Sequence, residues 1–237
     1  MSDKYLKDEI LYRGKLFQVI SRSKESSFMT EDADGKSHEV KKKLTFELVR
    51  RPPGVRAIIV KDGRLLLNKE YRYELEDWDY RLPGGKVFDS IEEFEHAGGA
   101  CEESGSEYAG GVGRKGENEE DGEAGKADDL IREAAYAKLA EEILEEADIN
   151  VEEFRLFGIS RCGLTVEWDL YYFVVDKFEV LPSFYARKMQ KSEYEYIQHV
   201  WADFDEVEKL ILDGRISEDR SIAMIFKYIM EQKKIAE

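Results

Sequence analysis

The sequence has few cysteines and no long apolar run. Its 237 residues include two cysteines, Cys101 and Cys162. Two thiols cannot form a disulfide framework, so we expect a reducing compartment, the cytoplasm. A membrane-spanning helix needs roughly 18 or more consecutive apolar residues, and a secretory signal needs a shorter apolar core; neither pattern occurs. The sequence therefore predicts a cytoplasmic protein without a membrane span.

Basic residues are scarce relative to acidic ones. There are 36 Lys and Arg against 52 Asp and Glu, which gives a net charge of -16. Such a field repels the phosphates of nucleic acids and anionic membranes, so neither is an expected partner. Hydrophobic residues nevertheless make up 42% of the chain, enough for a buried core. The length favours one large domain with a small extension.

Strand and turn patterns divide the first half of the chain. Residues 10–20 and 44–50 are rich in β-forming residues, which predicts a small antiparallel sheet as an N-terminal extension over residues 1–50. Asp62-Gly63 lies between two apolar runs and predicts a β-hairpin at the start of a main domain over residues 51–237.

An acidic segment follows that hairpin and interrupts the main domain. Residues 89–129 contain 14 acidic and three basic residues, a local net charge of -11. We interpret residues 89–127 as an insertion, Gly-rich from residue 98 onward. The part from residue 98 to residue 125 contains little that could pack, so it is predicted to be a mobile loop that cannot offset its ordering entropy. Excision of residues 98–125 should therefore leave a folded protein.

Three glutamates mark the segment after the insertion, where an Ala-, Leu- and Glu-rich pattern predicts a helix capped by Asp128 or Asp129. Glu142, Glu145 and Glu146 stand at i, i+3 and i+4, so their carboxylates share one helix face. Like charges repel there, and hard divalent cations are what clustered carboxylates accept best. A solvated acidic face is the alternative interpretation.

The helix resembles the Nudix box, which runs Gly, five residues, Glu, seven residues, Arg-Glu-apolar-x-Glu-Glu-x-Gly-apolar. Two registers compete. One places the paired glutamates at Glu141-Glu142, with Ala137-Lys138 in place of Arg-Glu, and loses a metal ligand. We adopt the other, in which the pair is Glu145-Glu146 and Lys138 takes no part in the site.

The adopted register keeps Glu133 as the leading glutamate and all three metal-binding glutamates. It departs from the box at Glu141, where Arg is expected, and at Asp148, where Gly is expected. The first glycine of the box matches Gly85 in Leu-Pro-Gly-Gly-Lys, although 47 residues rather than five separate it from Glu133. Lengthening a loop costs only a logarithmic term in closure entropy, so the two pieces can still meet.

Short motifs on both sides of the box are similar, in the same order, to the ADP-ribose pyrophosphatase branch of the Nudix family. They are Ile10-Leu11-Tyr12-Arg13-Gly14-Lys15, Arg51-Pro52-Pro53-Gly54-Val55, Lys69-Glu70-Tyr71-Arg72-Tyr73, Gly163-Leu164-Thr165 with Glu167, Glu193-Tyr194-Glu195-Tyr196-Ile197, and Gly214-Arg215-Ile216-Ser217-Glu218-Asp219. The resemblance covers nearly the whole chain outside the insertion.

The resemblance implies a fold and an activity. The fold is α+β: a Nudix fold, a mixed sheet sandwiched by helices, with the N-terminal antiparallel sheet added. The activity is metal-dependent hydrolysis of the diphosphate of ADP-ribose or a related nucleoside diphosphate sugar, and the branch commonly forms homodimers. The alternatives are a non-catalytic nucleotide-sugar sensor, because Glu141 and Asp148 depart from the box, and, more weakly, diphosphate isomerisation on the same fold.

The resemblance also assigns site residues. The expected ligands of Mg2+ or Mn2+ are the Gly84 carbonyl, Glu142, Glu145 and Glu146. The expected substrate-binding residues are Arg72, Arg51 and Glu167. The expected catalytic residues are Glu195, Glu193 and Glu145, with Glu195 preferred as the general base that deprotonates the attacking water. His38, His96 and His199 fit no nucleophile or zinc pattern and are assigned no role.

Overall fold

The computed structural model describes residues 5–32, 34–99, 123–163, 165–182, 190–192 and 195–236. In these ranges the chain forms strands and helices in α+β order, as the sequence predicts. It divides into two compact units. The N-terminal unit comprises residues 1–53, 88–133 and 161–169, and the second unit comprises residues 54–87, 134–160 and 170–237.

The N-terminal unit contains a four-stranded sheet in the order β1-β2-β3-β8. Its strands are β1 Tyr5–Arg13, β2 Gln18–Glu31, β3 Ser37–Arg50 and β8 Val166–Glu167. The predicted antiparallel extension is confirmed by β1 to β3, and the short parallel strand β8 adds to it. The β-rich stretch 10–20 is divided by a turn in which the Gly14 amide donates to the Phe17 carbonyl at 2.9 Å.

The second unit contains a mixed sheet in the order β10-β11-β5-β4-β9-β7, with β6 paired to β5. Its strands are β4 Gly54–Lys61, β5 Arg64–Arg72, β6 Asp77–Arg81, β7 Ile149–Ser160, β9 Leu170–Val180, β10 Gln190–Ser192 and β11 Glu195–Asp203. The predicted hairpin joins β4 to β5. Asp62 and Gly63 both have positive φ, 51° and 75°, as a tight hairpin turn between twisted strands requires.

The helix of the acidic face, α2, runs over Glu123–Ala147. The expected start at Asp128 or Asp129 was wrong, because the helix begins at Glu123 and both aspartates lie in its second turn. From Ile131 onward, every fourth residue of α2 is buried: Ile131, Ala135, Leu139, Ile143 and Ala147. This stripe packs into the core and fixes which face of the helix carries the glutamates.

Part of the predicted insertion is ordered in the N-terminal unit. The short helix α1, Ile91–Phe94, buries Ile91 and Phe94 and is capped by the Ser90 side chain, and one π-helical turn, Glu95–Gly99, follows it. No helix was predicted from the sequence in this part of the insertion. The overall acidic composition of the segment gives no indication of the apolar pair Ile91 and Phe94 or of the capping residue Ser90. Most of the insertion, residues 100–122, lies outside the described residues.

Two C-terminal helices complete the second unit: α3, Phe204–Leu212, and α4, Asp219–Ala236. Gly214 separates them with a φ of 68°, the left-handed conformation expected after a helix end. A capping box between Asp203 and Glu206 starts α3. Among the helices that the structure describes, none combines the length and apolar character needed to cross a membrane.

Candidate functional site

The loop Leu82–Gly85 is fastened to strand β4 by backbone hydrogen bonds. The Ala57 amide donates to the Pro83 carbonyl at 2.8 Å, and the Val55 amide donates to the Gly85 carbonyl at 3.0 Å. Gly84 has a φ of 142°, and a Cβ there would lie 2.2 Å from the Val55 carbonyl oxygen. Only glycine fits at position 84, and the peptide at this point is held in one orientation.

Helix α2 brings Glu142 against this loop. A Cβ on Gly85 would lie 2.6 Å from Glu142 Oε1, so the carboxylate occupies the space that a side chain at position 85 would fill. The Glu142 side chain is 19% exposed. The glycine loop and Glu142, the first of the three expected metal ligands on α2, therefore meet, although the acidic insertion separates them in sequence.

Glu146, one turn further along α2, is held by strand β5. Asn68 Nδ2 donates to Glu146 Oε2 at 3.1 Å, and Asn68 is completely buried. Glu145 is exposed. Over the part of the chain that the structure describes, no three carboxylate, imidazole or thiol groups form a cluster that could hold one metal ion. The structure thus places Glu142 and Glu146 beside buried backbone and strand, and leaves Glu145 on the outside.

Asp148 lies just beyond the last residue of α2 and has a φ of 51°. Its amide still donates to the Leu144 carbonyl at 3.1 Å, and the residue is buried. Left-handed backbone favours glycine, but Asp adopts it at modest cost. Asp148 therefore has the backbone conformation for which a glycine would be chosen at this position.

Lys138, which the sequence left out of the site, contacts it. Its Nζ lies 3.3 Å from Glu142 Oε1 and 3.1 Å from Glu141 Oε1. Burial lowers the pKa of Lys138, but the hydrogen bonds and charges of Glu141 and Glu142 outweigh it and raise the pKa overall. Lys138 remains a cation one turn before Glu142, where it offsets part of the negative charge that Glu141 adds.

We expect that removal of the positive charge of Lys138 favours binding of a divalent metal ion. Lys138→Met should tighten Mn2+ binding about twofold, since an i, i+4 charge pair on a helix contributes a few tenths of a kcal/mol. Titration calorimetry would measure the dissociation constant. Lys177→Met is the matched control, because it changes the net charge equally but disrupts a pair with Glu152 in which both side chains are largely exposed. Weaker binding by Lys138→Met would show that Lys138 supports the carboxylates rather than competing for them.

Arg72 lies on the same strand as Asn68, four residues further on. Side chains alternate along a strand, so Asn68, Glu70 and Arg72 share one face of β5, the face that meets Glu146. Arg72 Nη1 lies 3.5 Å from Glu70 Oε2, and its Nε donates to Glu74 Oε1 at 2.8 Å. The side chain is 27% exposed. Two carboxylates thus orient its guanidinium.

Arg51 and Glu167, the other expected substrate-binding residues, belong to the N-terminal unit. Glu167 Oε1 accepts from Arg22 at 2.6 Å and its Oε2 accepts from Arg50 at 2.7 Å, and its side chain is 11% exposed. The Arg51 guanidinium stacks on the Trp168 ring at 4.1 Å. Here Glu167 joins β8 to β2 and β3 through ion pairs.

The expected catalytic loop is described only in part: residues 193 and 194 lie outside the described residues, and Glu195 is described in its backbone. Glu195 is the first residue of β11 and pairs with Ser192 of β10, so it belongs to a strand rather than to the loop the sequence suggested. Its side chain lies outside the described residues, as does Glu193. Their roles remain predictions.

A buried ion-pair network next to the glycine loop joins Arg56 of β4 and Arg81 of β6 to Glu218, which directly precedes α4. Arg56 Nε and Nη2 donate to the two carboxylate oxygens of Glu218 at 3.0 and 3.2 Å, and Arg81 Nη2 donates to Glu218 at 3.4 Å. Burial raises the pKa of Glu218, but the charge and hydrogen bonds of Arg56 outweigh it and lower the pKa to about 2. Arg56 also directly follows Val55, to which the loop is bonded.

Sequence reasoning missed Asn68 and His199. His199 Nδ1 lies 3.0 Å from Asn68 Oδ1, and its Nε2 lies 2.7 Å from the Glu146 carbonyl oxygen. The available signal was an Asn directly after three leucines in a predicted strand, because a polar residue in a buried strand needs a specific partner. His199 gave no signal, since only the pairing of β5 with β11 brings it to Asn68.

Comparison with known proteins identifies the fold. No family model matches the sequence, and no curated protein matches it. Among solved structures, the chain is similar to the crystal structure of an ADP compounds hydrolase, with 14% sequence identity and a TM-score of 0.55. The match covers 98% of this chain and 96% of the other. It confirms the α+β Nudix fold that the sequence predicts.

Proposed function

We propose that the protein is a metal-dependent pyrophosphohydrolase that cleaves the diphosphate of ADP-ribose or a related nucleoside diphosphate sugar. The products are a nucleoside monophosphate and a sugar phosphate. The observation that carries the proposal is the contact of Glu142 with Gly85, beside Glu146 held by Asn68. The structural neighbour is a hydrolase of ADP compounds, which supports the reaction class.

The donor set fits Mg2+ or Mn2+. Carboxylates and a backbone carbonyl are hard oxygen ligands, and the Glu142 carboxylate lies directly against Gly85 of the glycine loop. Mg2+ is usually held by one or two carboxylates together with water and substrate phosphates, so a third clustered carboxylate is not required. Glu142, Glu146 and the Gly84 carbonyl are the proposed ligands, with Glu145 as an outer member. Asp148 stands where the adopted register of the box expects Gly, and its positive φ, which favours glycine, supports this register.

The reaction is addition of water to one phosphorus and cleavage of the bridging P–O bond. Bound metal would neutralise phosphoryl charge and lower the pKa of the attacking water. Arg72 binds the diphosphate oxygens, for which a planar guanidinium is well suited. Glu195 takes the proton of the water, because carboxylates bound to metal are weak bases. The phosphate that is not attacked is the leaving group, and it keeps the bridging oxygen.

Turnover by the purified chain tests the proposal. ADP-ribose, UDP-glucose and a dinucleoside diphosphate would be incubated with Mg2+ or Mn2+, and the products separated by anion exchange. We expect a nucleoside monophosphate from at least one substrate, abolished by chelation of the metal. Binding of ADP-ribose without cleavage would instead favour the sensor, for which Glu141 in place of Arg is the motivating observation. If no compound of the panel is bound or cleaved, both the hydrolase and the sensor are rejected.

The proposal includes a homodimer formed through the N-terminal sheet. Large apolar side chains on its three long strands are at least 40% exposed: Ile10, Leu11, Tyr12, Phe28, Met29, Val40 and Phe46. Apolar surface of this extent is usually covered by a partner. Light scattering at micromolar concentration should report about twice the mass of the chain, and Phe46→Lys should shift it toward the monomer. A monomeric parent protein would contradict the prediction.

A further inference from the structure

We propose that Asn68 and His199 are positioning residues that fix Glu146 for metal binding. The inference deepens the proposed function and rests on it, because Glu146 is one of the proposed ligands. Neither residue belongs to the Nudix box or to the flanking motifs. Both come from strands, β5 and β11, that the box helix meets only in the folded protein.

Hydrogen bonding fixes the orientation of the Asn68 amide. Asn68 Nδ2 faces Glu146 Oε2 at 3.1 Å, and a carboxylate can only accept, so the nitrogen rather than the oxygen points toward Glu146. The Asn68 Oδ1 is thereby turned toward His199, whose Nδ1 lies 3.0 Å away. The amide donates on one side and accepts on the other.

His199 closes the arrangement into a ring. Its Nε2 lies 2.7 Å from the backbone carbonyl oxygen of Glu146. Asn68 Oδ1 and this carbonyl both accept, so the imidazole donates to one of them when neutral and to both when doubly protonated. The side chain and the main chain of Glu146 are therefore both attached to the same pair of residues. Asn68 and His199 are themselves direct neighbours across the β5–β11 ladder. A residue in the last turn of α2 is thus held to the sheet at two points.

The burial of Asn68 makes this attachment effective. The residue is 0% exposed, so water does not compete for its amide. Glu146 would otherwise sample several rotamers, and a ligand that must be ordered on binding loses affinity. Outer residues that hold metal ligands typically change affinity or activity by about 10- to 100-fold when they are removed.

A purely structural role is the alternative. The Glu146 carbonyl is among the last four of α2, and such carbonyls need partners whether or not the helix binds metal. In that case the loss of Asn68 or His199 would lower thermal stability but leave the metal affinity of the folded protein unchanged. Mn2+ binding separates the two roles without any measurement of turnover.

The experiment compares Mn2+ dissociation constants for the full chain, measured by calorimetry or by electron paramagnetic resonance. Asn68→Leu keeps the approximate volume and removes both amide bonds, so we expect Mn2+ binding about 10- to 100-fold weaker. His199→Gln leaves the bond from Asn68 to Glu146 in place and should weaken binding less, by several-fold. Tyr172→Phe is the control, since it removes another buried hydrogen bond in the same unit, to Ser221 at 3.2 Å.

The expected result is weaker Mn2+ binding by both ring variants and unchanged binding by Tyr172→Phe, with all proteins folded by circular dichroism. If Asn68→Leu does not fold, the Mn2+ affinity of His199→Gln decides between the positioning role and the purely structural role. Unchanged affinity in a folded ring variant, with Mn2+ bound normally by the parent protein, would overturn the positioning role alone. A parent protein that binds no Mn2+ would overturn the metal site of the proposed function, and this inference with it.

Discussion

Glu142→Gln and Glu146→Gln are each expected to lower kcat by at least about 100-fold while the fold is retained. A neutral amide binds a divalent cation poorly, and metal ligation contributes several kcal/mol of charge stabilisation in the transition state. Glu142 lies against Gly85 and Glu146 against Asn68, so neither substitution removes a core side chain. Single-turnover rates at saturating Mg2+ would measure the effect.

Glu141→Gln is the matched control. It is adjacent to Glu142, its side chain is 52% exposed, and the adopted register gives it no ligand role. We expect its rate to remain within a few-fold of the parent protein. The other register assigns metal to Glu141 and Glu142 and not to Glu146. A large loss in Glu141→Gln together with a normal rate in Glu146→Gln would therefore show that the other register is correct.

Glu218→Gln is expected to lower the free energy of unfolding by about 3–5 kcal/mol, because it leaves the buried guanidinium of Arg56 without its countercharge. Arg56 and Glu218 have side chains only 9% and 10% exposed, so water cannot replace the lost partner. Urea unfolding at neutral pH would measure the loss. Glu152→Gln is the control, since the pair of Glu152 with Lys177 is largely exposed and should contribute little.

The pH dependence of this difference follows from the pKa of Glu218. The pKa falls from the ordinary 4.5 to about 2 on folding. A carboxylate with a lowered pKa contributes stability that is fully present above its unfolded pKa and is lost as the pH falls toward the folded value. The gap between the parent protein and Glu218→Gln should therefore be constant above about pH 5 and shrink below it. A gap that persists unchanged at pH 3 would show that packing, and not charge, accounts for it.

Local signals in the sequence predicted much of the fold. Asp62-Gly63 identified its hairpin because a two-residue turn with positive φ permits few residue types. Gly214 marked the end of α3 for the same reason. The start of α2 was misplaced, because Asp128 and Asp129 lie inside its second turn and do not cap it.

The site was less predictable than the fold because its contacts are tertiary. Helical spacing placed Glu142 and Glu146 on neighbouring turns, but nothing local indicated that Asn68 would hold one of them. Lys138 was set aside with the rejected register, although i, i+4 spacing alone places it beside Glu142. Helix α1 was not predicted, because the acidic segment was judged by its average composition. That average gives no indication of the apolar pair Ile91 and Phe94.

The contact between Gly85 and Glu142 also bears on how related proteins can be found. A pattern with a fixed number of residues between glycine and glutamate cannot match a chain in which 47 residues separate Gly85 from Glu133. The geometry is maintained by hydrogen bonds of the loop to β4 and by the buried stripe of α2, neither of which depends on the length of the connection. A search template built from five positions in space, Gly84, Gly85, Glu142, Glu146 and Asn68, would retrieve such chains whatever the number of residues between them.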